Sequence, residues 1–149
     1  MTKKLIKQIQ EKVVNLLRKY NNKPLYLLAK DNCSEMSRLV GCWILQKQPS
    51  TKVFILQGKK VFNRKEKCHD ILAVECYNKI YLIDTTIWQF FKYKRNILIG
   101  IINNISEALN ITKKIYKGNW RIAEKLNKND FKNVDGWKRI IAINCKDND

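Results

Sequence analysis

The sequence has little that would break it into segments. Two prolines and five glycines in 149 residues leave no Pro-rich or Gly-rich linker, and these are the strongest local punctuators of chain structure. No repeat or low-complexity stretch is present, so residues 1–149 read as one domain of ordinary size. Long apolar runs are also missing. Apolar runs such as Ile97–Ile102 are short, whereas a membrane-spanning helix needs roughly 20 residues. No export signal is visible: Lys3, Lys4, Lys7, Glu11 and Lys12 stand where its apolar core would lie. The chain is therefore expected in the cytoplasm, with no membrane span. Delivery as an effector by another route stays open.

Paired cysteines are lacking too. Five Cys stand at 33, 42, 68, 76 and 145, an odd number with no CxxC or CxxH spacing. Without export, that pattern points to reduced thiols rather than disulfides, and no cofactor or metal is expected. Acidic residues are scarce. Thirty Lys and Arg against thirteen Asp and Glu give a net charge of +17, which suits an acidic partner such as nucleic acid or an acidic protein. Composition offers a plainer account. Lys, Asn and Ile number 24, 16 and 19, and these three rise together in AT-rich coding sequence. No single tail or helix holds the charge either: +6 over 1–32, +4 over 33–91 and +7 over 92–149. Histidine is scarcest of all, a single residue at 69, so any imidazole chemistry must centre there.

Hydrophobic period assigns the elements. Residues 3–20 carry Leu5, Ile9, Val13, Leu16, Leu17 and Tyr20 at helical spacing, with Thr2 as cap. A short apolar run, Leu25 to Ala29, follows Pro24. Asp31-Asn32 then introduces a second helix, with Met36, Leu39, Val40, Trp43 and Ile44 on one side, closed by Gln48-Pro49-Ser50. Strand formers dominate 53–56, 69–76 and 79–85, and Tyr77-Asn78 makes a tight turn between the last two. Residues 97–102 fit a buried strand or a helix start. Helices are predicted over 104–116 and 119–128, and a closing strand over 137–144. Helices first and a mainly antiparallel sheet after them define an α+β fold, with the N-terminal helices packed on a small sheet.

His69 begins a predicted strand and Asp84 ends the next. A turn centred near Asn78 sets residues 71 and 84 opposite each other, with His69 just beyond, so imidazole and carboxylate can hydrogen-bond. Such a carboxylate fixes the tautomer and stabilises the imidazolium. Cys33 opens the second helix, where unpaired N–H groups and the positive dipole end favour a thiolate and can hold an oxyanion. Cys33, His69 and Asp84 thus form a candidate nucleophile, base and orienting acid. Asn32, just before the nucleophile, is a candidate oxyanion donor, or else a helix cap.

The segments Asp31-Asn32-Cys33-Ser34-Glu35-Met36-Ser37, His69 at its strand start, and Leu82-Ile83-Asp84-Thr85-Thr86-Ile87-Trp88-Gln89-Phe90 resemble the papain-like and transglutaminase-like cysteine hydrolases. Within that superfamily they look most like the small papain-fold bacterial domains of toxins, effectors and glutamine deamidases. Those domains use Cys, His and Asp in this order, and several begin "Cys-(Gly/Ser)-Glu-x-Ser" and end "Asp-x-Thr-x-x-Gln-Phe". The likeness covers roughly 25–92 and implies a papain-like minimal core, with 93–149 as added helices and a closing strand.

The activity this implies is hydrolysis of an amide bond in a protein substrate, as a peptidase or a glutamine deamidase, with transglutaminase-like acyl transfer as the variant that uses an amine acceptor. Lys65, Lys67, Trp88 and Gln89 are candidate residues of the substrate rim, although Trp88 also suits a core position. With Lys92, Lys94 and Arg95, the lysines would attract an acidic protein. Two other readings stand beside this one. The aromatics interleaved with cations in Lys92-Tyr93-Lys94-Arg95 and Ile115-Tyr116-Lys117-Gly118-Asn119-Trp120-Arg121 fit a nucleic-acid-binding module. An inactive papain-fold relative that only binds a partner is the third.

Overall fold

A computed structural model describes residues 1–147. Thr2 caps the first helix, accepting a hydrogen bond from the Leu5 N–H at 3.1 Å, and α1 runs Lys3–Arg18 with Ile9, Val13 and Leu17 buried. Pro24 starts a single helical turn, α2 (Leu25–Leu28), and α3 follows over Cys33–Lys47. The sheet consists of β1 (Lys52–Lys59), β2 (Cys68–Cys76), β3 (Lys79–Ile83), β4 (Leu98–Ile102) and β5 (Asn119–Lys125). Between β4 and β5 lies α4 (Ile105–Tyr116), and α5 (Val134–Asp147) closes the described chain. All pairings are antiparallel, in the order β4-β3-β2-β1-β5.

The fold is α+β, as expected, with the N-terminal helices on the sheet. Alternation along the strands divides the core in two. Val53, Ile55, Leu72, Val74 and Ile83 pack with α1, α2, α3 and α5. Leu56, Ile71, Ala73, Ile80 and Leu82 face the other way, towards Ala108 and Tyr116 of α4. Tyr77 and Asn78 both adopt left-handed φ, 50° and 61°, the conformation a two-residue hairpin requires. That turn fixes the β2–β3 register with Cys76 opposite Lys79 and Leu72 opposite Ile83. The ladder ends there; its register, continued one step, is the one that sets Ile71 opposite Asp84.

Two expectations from the C-terminal third are corrected. Residues 119–125 are a strand, not part of a helix, and 134–147 are a helix, not a closing strand. Ala, Glu, Lys and Leu give 119–128 a helical composition, but the open edge of β1 accepts a strand there, with a bulge between Ile55 and Leu56. In α5 the β-formers Trp137, Ile140, Ile141 and Ile143 disguise a helical spacing. Val134, Trp137, Ile141 and Cys145 pack on the helical core. Tertiary context outweighs local propensity in both segments. Residues 97–102 resolve as the edge strand β4.

Candidate active site

Three chain ends converge at one end of the sheet: the start of β2, the end of β3 and the start of α3. Cys33 is the first residue of α3 and is partly exposed. The helix start is tied down by Arg38, one turn on. Its guanidinium donates to the Ser34 carbonyl at 2.9 Å, to Asp70 Oδ2 at 2.8 Å and to Glu124 Oε1 at 3.2 Å. Ser37 Oγ donates to the Asp70 carbonyl at 3.1 Å. Asp70 thus points to the α3 face, and its neighbour His69, one residue back, points to the α4 face.

His69 and Asp84 are both fully buried, with His69 Nε2 and Asp84 Oδ2 2.8 Å apart. A buried carboxylate needs every lone pair served, and this one is well supplied. Oδ1 accepts the Thr86 N–H at 3.0 Å, and Oδ2 also accepts the Tyr116 hydroxyl at 2.5 Å. Burial alone would lower the imidazole pKa. The charge and hydrogen bond of Asp84, with a smaller contribution from nearby Cys33, outweigh it and push it up to about 10. Asp84 holds Nε2, so Nδ1 is the ring nitrogen left over. Among the described residues, three buried polar atoms lack a partner: His69 Nδ1, Thr86 Oγ1 and Gln89 Oε1. Thr86 and Gln89 follow Asp84 closely in the chain.

The imidazole is walled by aromatic rings. Phe90 meets it edge-on with centroids 4.7 Å apart, Tyr116 lies at 5.3 Å and Trp120 at 6.4 Å. Gly58 explains how Trp120 reaches it from two strands away. Gly58 pairs with His69 on one side and Trp120 on the other. A Cβ there would stand 2.4 Å from the indole, so the missing side chain is what lets Trp120 lie across β1. Its Nε1 donates to the Lys117 carbonyl at 2.8 Å.

The other predicted residues fare differently. Asn32 is no oxyanion donor, which corrects the sequence expectation. Its amide donates to the Leu28 carbonyl at 2.8 Å and to Cys145 Sγ at 3.6 Å, and its carbonyl accepts from Asn144 at 3.0 Å. It is the N-cap residue of α3, its backbone carbonyl accepting the Met36 N–H at 2.9 Å, but its side chain makes no cap hydrogen bond; that side chain fastens α2 and α5 to the helix start. Trp88 is a core residue, not a rim residue: it is buried, and its Nε1 donates to the Lys94 carbonyl at 2.8 Å. Gln89 is half-buried beside the site. Lys67 places its ammonium 5.2 Å from the Phe90 ring, and Lys65 is exposed. Of the other thiols, Cys68 is exposed, while Cys42 and Cys145 are buried; burial pushes Cys42 up to about 12 and raises Cys145.

Sequence reasoning missed Tyr116, Arg38, Gly58 and Trp120 as residues packed here, while Phe90 stood within the quoted Asp84–Phe90 segment. Arg38 alone had a local signal, lying four residues after Ser34 on the same helix face. The described residues contain no cluster of three or more His, Cys, Asp or Glu placed to hold a metal. Compared with family models, curated proteins and solved structures, the chain finds no match.

Proposed function

We propose that this protein is a thiol hydrolase with a papain-like core that cleaves amide bonds of a protein substrate, with Cys33 as nucleophile, His69 as base and Asp84 as orienting acid. One observation carries the reading: a fully buried imidazole is held by a carboxylate through Nε2, its other nitrogen is unpartnered, and a partly exposed thiol at a helix start is near enough to influence its charge. His69 Nδ1 takes the Cys33 proton. The sulfur attacks the carbonyl carbon, and the electron pair of the C=O moves to oxygen. Backbone N–H groups of the first turn of α3 take the oxyanion role that Asn32 does not fill. The imidazolium then returns its proton to the leaving amine and a thioester forms. Water, deprotonated by the same nitrogen, releases the acid. With a glutamine side chain as substrate, the amine is ammonia and the reaction is deamidation.

Limiting iodoacetamide tests this, with mass mapping of the first cysteine modified. Cys68 is exposed and serves as the ordinary thiol in the same molecule. Cys33 is expected to react first, at least about tenfold faster than Cys68 at pH 6.5, where an unassisted thiol is almost wholly protonated. Equal rates would remove the hydrolase reading.

A second reading, binding of nucleic acid, is favoured by a groove of about 620 Å³ lined by Lys60, Lys113, Lys114 and Lys117 with Asn63, Asn110, Gly118 and Asn119. Asn110, Lys113 and Lys114 lie on α4, Lys117 follows its last residue, and no carboxylate lines the groove. Gly118 holds the walls together. It has φ +79°, and a Cβ there would stand 2.3 Å from the Lys59 carbonyl oxygen. If the groove tracks a single strand, Lys113→Gln with Lys117→Gln should lower the slope of log affinity against log salt by about 1.4. An unchanged slope would leave the groove without that role.

A further inference from the structure

We propose that Tyr116 is a positioning residue of this site, whose hydroxyl shares Asp84 Oδ2 with the imidazole and so sets the pH at which His69 gives up its proton. The proposal rests on the thiol-hydrolase reading for its purpose but not for its measurement.

The geometry carries it. Tyr116 is the last residue of α4 and is fully buried among Phe62, Phe90, Phe91 and Trp120. Phenylalanine would satisfy that packing. A hydroxyl in such surroundings is costly unless it is bonded, and Asp84 Oδ2 accepts it at 2.5 Å. The same oxygen faces His69 Nε2 at 2.8 Å. Tyr116 and the imidazole therefore draw on the electron density of one oxygen of one carboxylate. Burial and the adjacent carboxylate raise the phenol pKa, so it stays a donor at every working pH.

Sharing of this kind weakens the hold of Asp84 on the imidazolium. In the proposed cycle that proton must leave for the amine, and an imidazolium held too tightly is a poor acid. Other groups that face the ring are few. Cys33 comes from α3, and Lys67 stands over Phe90 with its ammonium 5.2 Å from the ring centroid. The flanking strands bring Gly58 and Trp120, and the segment after β3 brings Phe90; none of these titrates.

The single histidine makes the test direct. The imidazole ¹⁵N shifts of labelled full-length protein are followed from pH 5 to 11, in the wild type, in Tyr116→Phe and in Thr112→Val. The last removes another buried α4 hydroxyl, one that donates to the Ala108 carbonyl and not to Asp84. Tyr116→Phe is expected to raise the imidazole midpoint by about one unit, while Thr112→Val leaves it in place. An unmoved or lowered midpoint in Tyr116→Phe, or an equal rise in Thr112→Val, would overturn the proposal.

If Tyr116→Phe fails to fold, 3-fluorotyrosine labelling replaces it. Fluorine makes the hydroxyl a better donor, so the midpoint is expected to fall, and a rise or no change counts against the proposal. Slow alkylation of Cys33 would remove the hydrolase reading and leave this titration readable. Fast alkylation with a static midpoint in Tyr116→Phe would do the reverse.

Discussion

Asp84 accepts three hydrogen bonds while fully buried, from His69, Tyr116 and the Thr86 N–H. Removing its charge should therefore be felt twice. Asp84→Asn leaves the imidazole with burial as its main influence, which lowers its pKa, and breaks a buried pair at a cost of about 3–5 kcal/mol. The pH dependence has a definite sign. The folded state raises the imidazole pKa from 6.5 to about 10, so the stabilisation is full below 6.5 and is lost as pH rises through about 10. Urea melts should show stability falling across that window in the wild type and a flatter profile in Asp84→Asn; parallel profiles would contradict the pairing. Much of this scale was legible in the sequence. One histidine, a strand end fifteen residues on and a cysteine at a helix start are local signals. Tyr116 was not legible, because its role depends on where the last turn of α4 meets β3, and the spacing of residues within α4 does not specify that. Asn32 misled for the opposite reason: its place before the cysteine suggested a role, and its partners come from Leu28, Asn144 and Cys145.

The elements differ in how far their own residues determine them. α1, α3 and the β2–β3 hairpin follow from cap, period and turn, and the sequence predicts them closely. β5 and α5 depend on neighbours. β5 is drawn to the free edge of β1, and Gly58 is the contact that aligns it with the site. Gly58→Ala should expel the indole of Trp120 from its place over β1, because the new Cβ would lie 2.4 Å from it. The expected cost is about 1–3 kcal/mol, with the shift of the His69 resonances that comes from losing a ring 6.4 Å away. Unchanged imidazole shifts in a folded Gly58→Ala protein would show that Trp120 does not wall the site. Arg38 plays the matching part in the helical layer, joining the first turn of α3 to β2 and β5 through Asp70 and Glu124.

For the whole molecule, the charge of +17 takes two forms. Most of it is spread over the surface as composition would spread it, but the groove on α4 gathers four lysines with no acid among its lining residues. Lys65 and Lys67 lie elsewhere, on the segment that enters β2. If they attract an acidic substrate, Lys65→Gln with Lys67→Gln should slow association in low salt and leave it unchanged in high salt, where charges more than about 10 Å apart are screened. Equal rates in low salt would leave composition as their whole explanation. The central claim concerns one pair of side chains, Cys33 and His69, and its most direct test is the pH profile of Cys33 alkylation in the wild type and in His69→Ala, with Cys68 as internal reference. The expected result is a wild-type Cys33 that stays fast below pH 7 and a His69→Ala Cys33 that slows to the rate of Cys68. Identical Cys33 profiles in the two proteins would contradict it.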